Sequence, residues 1–299
     1  MKIAITGSGG LVGTALKKYF SARGDDVWPL MRSAASEREI FWNPAKGQIE
    51  REKLEGLDAV IHLAGANIAG RRWSAAYKKT ILASRVQPTR LLCEALAGLT
   101  QKPKVLLSAS AVGYYGAHNP AEGVLEGTPA GNDFLAGVCR DWEEAATPAT
   151  GAGIRTVAMR FGVVLSVKGG ALKKMLPAFQ LGLGGPLGSG KQMMSWVALA
   201  EIPKVAEFLL ANESMSGPVN VVAPAPVTNA CFTQALGKAL KRPAFLPVPA
   251  FAVKLLFGEM GESLLLNGAA VLPGKLKEAG YSFRYPDIDA ALRVSLKEN

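Results

Sequence analysis

Lys2-Ile-Ala-Ile-Thr-Gly-Ser-Gly-Gly-Leu-Val-Gly13 follows the first methionine and decides the fold. Lys2 to Thr6 reads as a short buried strand, and behind the glycines Leu11, Val12, Ala15, Leu16, Tyr19 and Phe20 recur at helical spacing. Gly7 permits a tight turn, Gly10 lets the backbone approach a pyrophosphate, and Gly13 lets the helix lie close on the strand. The helix N-terminus then presents free N–H groups and the positive end of its dipole to an anion. Strand, glycine turn and helix in this order open a dinucleotide-binding fold.

A second strand, Val27 to Met31, follows Asp25-Asp26 and ends at Arg32 and Ser33. NAD sites place an acid at this strand end to hold the ribose hydroxyls, whereas a cation attracts the 2′-phosphate of NADP. Arg32 therefore points to NADP(H), since Asp25 and Asp26 precede the strand; the alternative is a solvated strand-end residue. Further strands are expected at Ile40 to Trp42, Asp58 to Gly65, Val105 to Ser108 and Arg155 to Arg160, with helices over about 74–98 and 133–147. Strands alternating with helices imply an α/β fold, a Rossmann doubly wound parallel sheet. After Leu165 the texture turns to Gly and Pro clusters, Gly169-Gly170 and Gly182 to Gly190, which suit loops over a cleft. Helices near 201–211 and 229–240 follow, then a small cap punctuated by Pro243, Pro247 and Pro249. The division expected is an NADP-binding domain over 1–165, its sheet completed by later segments, and a substrate-binding cap over 166–299.

About half of the 299 residues are apolar, enough for a full core. The opening MKIAITGSGG has neither the length nor the shape of a signal peptide, and the long uncharged run from Met175 to Gly190 is studded with Gly and Pro. A cytoplasmic protein with no membrane partner is the expectation. Cys93, Cys139 and Cys231 lack CxxC spacing, which argues for buried packing residues rather than disulfides or zinc. His62 and His118 alone build no metal site, and His62 sits in an apolar run as a core or cofactor-lining residue. The net charge of +10 is not gathered in one block, and no nucleic-acid recognition motif accompanies it. Two stretches, Ala59 to Cys93 and Ala145 to Ala200, contain cations and no acid. Converging on one cleft, they would make an anion-attracting mouth.

Several stretches resemble the extended short-chain dehydrogenase/reductase superfamily, and within it an atypical epimerase-like family with its own small C-terminal domain, here from about residue 245. They include the TGxxGxxG turn, Asp58-AVIHLAG-Ala66, Ser108-ASAVGYY-Gly116, Asp133-FLAGVCRDWE-Glu144, Arg160-FGVVL-Ser166, Gly182-LGGPLGSGKQ and Phe283-RYPDIDAA-Leu292. The resemblance implies a nucleotide-sugar-epimerase-like fold and NADP(H) binding. It adds Leu63, Ala64, Gly65, Thr80, Arg85, Ser108, Arg160 and Val164 to a cofactor set that already holds Gly7, Ser8, Gly10, Leu11, Val12, Gly13 and Arg32. For Leu63 and Val164 the alternative is plain core packing.

The superfamily's chemistry uses a Ser, a Tyr that relays a proton, and a Lys that lowers the Tyr pKa. Residues 130–150, where YxxxK should fall, contain neither Tyr nor Lys. Ser110 matches the family serine, and Tyr115 is a candidate acid with a cation such as Arg85 beside it; the alternative is that Tyr114 and Tyr115 shape the loop. Relatives read WIHxxD where this chain has Trp196-Val-Ala-Leu-Ala-Glu201, so that histidine is Ala198. The expected function is an NADP(H)-dependent, epimerase-like oxidoreductase acting on a small anionic substrate such as a nucleotide sugar. The alternative is a non-catalytic NADP(H)-sensing regulator, loosely linked by relatives' names to cell division. The sequence sets neither the substrate nor the oligomeric state.

Overall fold

Ile3 and Ile5 pack into one hydrophobic cluster and Ala4 into another, all three fully buried. A strand covered on both faces belongs to a parallel sheet between two helical layers. The computed structural model describes residues 1–33, 36–117 and 123–297, so His118 lies outside the described residues. The chain runs β1 (Lys2–Thr6), α1 (Leu11–Ala22), β2 (Asp26–Met31), β3 (Ile40–Asn43), β4 (Gln48–Ile49), β5 (Ala59–His62), α2 (Ala75–Ala97) and β6 (Val105–Ala111). Next come α3 (Phe134–Glu144), α4 (Thr147–Gly151), β7 (Arg155–Phe161), β8 (Val163–Leu165), α5 (Gly170–Gln180), β9 (Met193–Met194), β10 (Trp196–Ala198) and α6 (Ile202–Ala211). The remainder is β11 (Gly217–Val221), β12 (Val227–Thr228), α7 (Asn229–Leu240), α8 (Ala250–Phe257), α9 (Glu259–Gly261), α10 (Gly274–Glu278) and α11 (Ile288–Ser295).

The main sheet has the order β11-β7-β6-β5-β1-β2-β3-β4, parallel throughout except between β3 and β4. From β1 the chain winds outward to β4, then returns to the other side of β1 for β5, β6 and β7. The crevice beyond the carboxyl ends of β1 and β5 is the switch point where doubly wound sheets bind ligands. Leu16 and Phe20 of α1 with Val205 and Leu209 of α6 seal one face. Leu92 and Leu96 of α2 with Ala149 of α4 seal the other. Each fully buried Leu or Phe contributes about 1.5–3 kcal/mol. The helix expected over 133–147 is α3, which ends at Glu144; a new helix, α4, starts at Thr147, with Pro148 in its first turn, where the missing N–H costs nothing and the fixed φ suits a helix.

Beyond β8, Leu172, Phe179, Trp196, Phe232, Leu236 and Leu292 form a separate core among α5, α7, α11 and the β8–β10 pair. The Gly182 to Gly190 stretch runs beside residues 246–248. The Leu246 N–H donates to Gly184 O at 3.3 Å, the Val248 N–H to Pro186 O at 2.9 Å and the Gly188 N–H to Val248 O at 2.8 Å. Gly185 has to be glycine there, since a Cβ would lie 1.6 Å from the Leu246 carbonyl oxygen.

Candidate functional site

At the switch point the glycine turn lies directly on the end of β5. Gly7 has φ +65°, and a Cβ there would be 3.0 Å from the Leu63 carbonyl. A Cβ on Gly13 would lie 2.2 Å from Gly7 O, so α1 could not approach the strand with any other residue. The Gly10 N–H closes the turn onto Gly7 O at 2.9 Å. Gly10, the N-cap of α1, supplies no side-chain cap, and the first turn carries no acid. The leading N–H groups and the dipole are left for an anion. Ser8 is buried and its hydroxyl leans on Met31 Sδ at 3.6 Å. Leu11 touches the Gly169-Gly170 corner, and Val12 packs on the core beneath. Arg32 directly follows β2 and is exposed.

A buried hydrogen-bond chain holds the floor of this crevice. Thr6 Oγ1 accepts the N–H groups of Leu63 at 2.9 Å and Ala64 at 3.2 Å, and lies 2.8 Å from His62 Nδ1. With both acceptor positions filled, the Thr6 hydroxyl donates to Nδ1, so the proton of the neutral ring is on Nε2. That N–H donates to Thr89 Oγ1 at 2.8 Å; Thr89 also accepts from Trp142 Nε1 at 3.0 Å and donates to Arg85 O at 2.7 Å. Burial lowers the His62 pKa to about 3, which keeps the ring neutral. His62 is therefore a core histidine.

Arg85 lies along Gly65 and over the Trp142 ring. It donates to Ile81 O at 3.0 Å and to Ala66 O at 3.1 Å. It has no carboxylate partner among the described residues, and burial lowers its pKa. A cation held by carbonyls alone keeps its charge for an incoming anion. Ser84 accepts the Ala66 N–H, so α2 fixes the loop after Leu63 from two side chains. Thr80 is exposed and its hydroxyl turns back to Ala76 O of its own helix. Val164, half-buried on β8, pairs in register with Val197.

Four of the expected site residues, Arg160, Tyr115, Ser108 and Ser110, sit in the interior. Arg160 is 2% exposed and meets Glu143 through two hydrogen bonds of 2.8 Å each. Burial opposes its charge, and the Glu143 carboxylate more than restores it, holding the Arg160 pKa above the ordinary arginine value. Arg160 also donates to the Tyr115 hydroxyl at 2.8 Å, and that hydroxyl donates to Asn220 Oδ1 at 2.7 Å. Tyr115 is 1% exposed, and burial pushes its phenol pKa up despite Arg160. Arg160 and Tyr115, expected as a cofactor contact and an acid, thus bond to Glu143 and Asn220 in the interior. The alternation of β7 turns Arg160 toward α3, and one turn of 3-10 helix over Val112–Tyr115 after β6 sets Tyr115 against Asn220 of β11. Ser108 likewise lines a cavity of about 400 Å³ with Glu143, Thr147 and Arg155 rather than the crevice. Ser110, also buried, donates to Glu143 Oε1 at 2.6 Å.

Sequence reasoning does not single out Glu143, Asn220 or Thr6; only Thr6 carries a signal, a hydroxyl immediately ahead of the glycine turn. Glu201, at the acid position of the altered WIHxxD motif, is buried and accepts the Tyr281 hydroxyl at 2.6 Å and two backbone N–H groups, from Arg284 and Tyr285. It anchors the C-terminal segment. Cys93 and Cys139 are buried, their thiol pKa values pushed up to about 12 by burial, whereas Cys231 is exposed, against the expectation for all three.

The two acid-free stretches meet. Lys174 donates to Ala69 O at 2.7 Å, which brings the loop carrying Arg71 and Arg72 against α5. Lys78 pairs with Glu259 at 2.5 Å and caps the Phe134 ring, tying α2 to α9 across the opening.

Residues 3–221 match the family described as NAD dependent epimerase/dehydratase family, and residues 248–294 match a domain of unknown function (DUF1731). An epimerase family protein of Mycobacterium bovis is 45% identical over 292 residues, spanning 97% of this chain and 96% of that protein. The human epimerase family protein SDR39U1 is 37% identical across 98% of this chain and 99% of its own. The crystal structure of human SDR39U1 (isoform2) with NADPH superposes with a TM-score of 0.90 at 35% identity, covering 100% of both chains. UDP-glucose 4-epimerase from Thermus thermophilus in complex with NAD, 18% identical over 99% of this chain and 98% of its own, shares the fold with a TM-score of 0.76.

Proposed function

The chain belongs to the NAD-dependent epimerase/dehydratase family, and from that membership we propose that it binds NADP(H) and uses it in redox chemistry on a small anionic molecule. The observation that carries this reading is the cradle at the switch point: Gly7 and Gly13 leave no room for a Cβ, and the α1 N-terminus beside them is uncapped. These residues fit a dinucleotide pyrophosphate. Gly7, Ser8, Gly10, Leu11, Val12 and Gly13 would hold that end, Arg32 the 2′-phosphate, and Leu63 to Gly65, Arg85 and Val164 the remainder. The bound nicotinamide would supply hydride transfer. The human relative solved with NADPH supports the choice of phosphate-bearing cofactor.

This chain's own groups would supply orientation and charge. Glu143, fixed by Arg160, accepts a hydrogen bond from the Ser110 hydroxyl, which leaves the Ser110 oxygen free to accept one from a substrate hydroxyl. The cations where the two acid-free stretches meet favour an anionic substrate, for which a nucleotide sugar is the proposed class. A second reading, an NADP(H)-sensing regulator, draws support from the burial of Tyr115 and from an α3 with neither Tyr nor Lys.

NADPH binding followed by fluorescence, then turnover against a panel of nucleotide sugars and carbonyl compounds, separates the two. Turnover abolished by Ser110→Ala supports the enzyme. Tight binding with no turnover on any compound supports the regulator, and absence of NADPH binding overturns both.

A further inference from the structure

Between Ser214 and Gly258 the chain contains no acid, and its only charges are Lys238, Lys241, Arg242 and Lys254. This region and the Leu181–Leu183 turn beside it carry most of the exposed apolar side chains among the described residues. Apart from Met1 and Leu125, every large apolar side chain exposed among the described residues lies between Leu181 and Phe257. Leu181 is 74% exposed, Phe245 71%, Phe251 73% and Leu255 74%. The segments bearing them are side by side: a Cβ on Gly182 would lie 3.3 Å from Pro243, Leu246 bonds to Gly184, and α8 begins directly after Val248 and Pro249.

The cations belong to this face. Lys238 and Arg242 line a pocket of about 430 Å³ together with Phe245, between α7 and the turn that follows it. Thr233 lines that pocket too; it is 1% exposed and its buried hydroxyl oxygen has no hydrogen-bond partner. Lys238, Lys241 and Arg242 form no ion pair among the described residues, whereas Lys254 is neutralised by Glu262 at 2.7 Å.

We propose that this face docks on an anionic phospholipid surface, with a lipid phosphate taken into the pocket between α7 and residues 242–245. Side chains more than two-thirds exposed project from the protein instead of lining a groove, so they suit insertion at the boundary between headgroups and acyl chains. Unpaired cations beside them complement anionic headgroups. A second copy of the chain is disfavoured, because a two-fold contact through this face would bring its uncompensated positive charge against itself. No helix among the described residues is long and apolar enough to cross a membrane, so the contact is peripheral. Sequence reading, which searches for spanning segments, expects no membrane partner and does not see this surface.

The test is co-sedimentation of the full chain with vesicles of phosphatidylcholine alone and with about one-third phosphatidylglycerol. Binding is expected only to the anionic vesicles, weakening as salt is raised. F251S/L255S and, separately, K238E/R242E should each reduce it by at least about tenfold while leaving NADPH affinity and the thermal midpoint near those of the parent. Failure to sediment with anionic vesicles overturns the proposal. So does a dimer in light scattering that F251S/L255S dissociates, since the face then belongs to a second copy. Equal binding to both kinds of vesicle overturns the phosphate pocket and the role of charge.

Discussion

Thr6 and His62 are joined by a hydrogen bond of 2.8 Å whose direction is fixed, from the Thr6 hydroxyl to Nδ1 of the ring. The direction follows from the two backbone N–H groups, of Leu63 and Ala64, that occupy the acceptor side of the same hydroxyl. One short chain of polar groups thereby links the end of β1, the end of β5, α2 through Thr89 and α3 through Trp142. The loop that would face a cofactor is braced from behind by groups that must all be satisfied.

Stability should fall with acid through His62. Its folded pKa of about 3 lies below the ordinary value of 6.5, so between these limits the unfolded chain binds a proton that the folded chain does not. Its contribution is complete above pH 6.5 and is lost progressively as pH falls toward 3. The loss over that window is of order 5 kcal/mol. Urea unfolding at a series of pH values measures it, with H62Q as the control that should flatten the slope. An unchanged slope in H62Q would assign the acid sensitivity elsewhere.

Replacing Thr6 by Val keeps the shape and strands two N–H groups and the His62 Nδ1. A loss of about 2–5 kcal/mol is expected, together with weaker NADPH binding because Leu63 and Ala64 are no longer held. Thr6→Ser, which keeps the hydroxyl, should recover most of both. If T6V were as stable as the parent, the hydrogen-bond chain would carry little of the floor.

The periodicity of the first residues was enough to read the strand, the turn and the helix, because local spacing sets them. The doubly wound sheet was legible for the same reason, through the alternation of apolar strands and helices. Arg160 and Tyr115, expected at the site, lie in the interior, because a family pattern gives the position of a residue along a strand and not the face it takes. Glu143 looks in sequence like one more surface acid of a helix end, and only the fold brings it within 2.8 Å of Arg160. The small β8–β10 and β9–β12 pairings are too short to leave a period at all.

Gly13→Ala places a methyl group 2.2 Å from Gly7 O, against backbone that cannot rotate away. α1 must shift off β1, and the phosphate-facing turn with it. NADPH affinity should drop by at least about tenfold, with a loss of about 1–3 kcal/mol in stability. Gly9→Ala is the matched control, since a Cβ there meets nothing within 4 Å. Equal effects of the two substitutions would remove the close approach as the cause.

Arg32 stands exposed at the end of β2, where a charge contacts the adenosine ribose of a bound dinucleotide. Arg32→Asp should lower NADPH affinity and raise NADH affinity, reversing the preference by about a hundredfold in the ratio of Kd values. Stability should stay within about 0.5 kcal/mol of the parent, as for other surface substitutions. Fluorescence titrations with both cofactors test this directly; a preference for NADPH that survives the change would transfer selectivity to another residue.

Glu143 neutralises an Arg160 that is 2% exposed, and it also accepts a hydrogen bond from the Ser110 hydroxyl. Glu143→Gln preserves size but leaves the guanidinium uncompensated in the interior, which costs about 3–5 kcal/mol. Arg160→Met alone should be comparably costly, because it leaves the Glu143 carboxylate without its cation and removes the donor to the Tyr115 hydroxyl. The double variant E143Q/R160M should be less destabilised than the sum of the single changes, since neither partner is then left as a buried charge. Ser110→Ala touches the same carboxylate at one oxygen and should cost only about 1 kcal/mol. The contrast separates two roles within one network. A large stability loss in E143Q with a small one in S110A makes the ion pair the support of β7 against α3 and leaves Ser110 for the crevice. Comparable losses in both would make Ser110 part of the scaffold and remove it from the proposed chemistry.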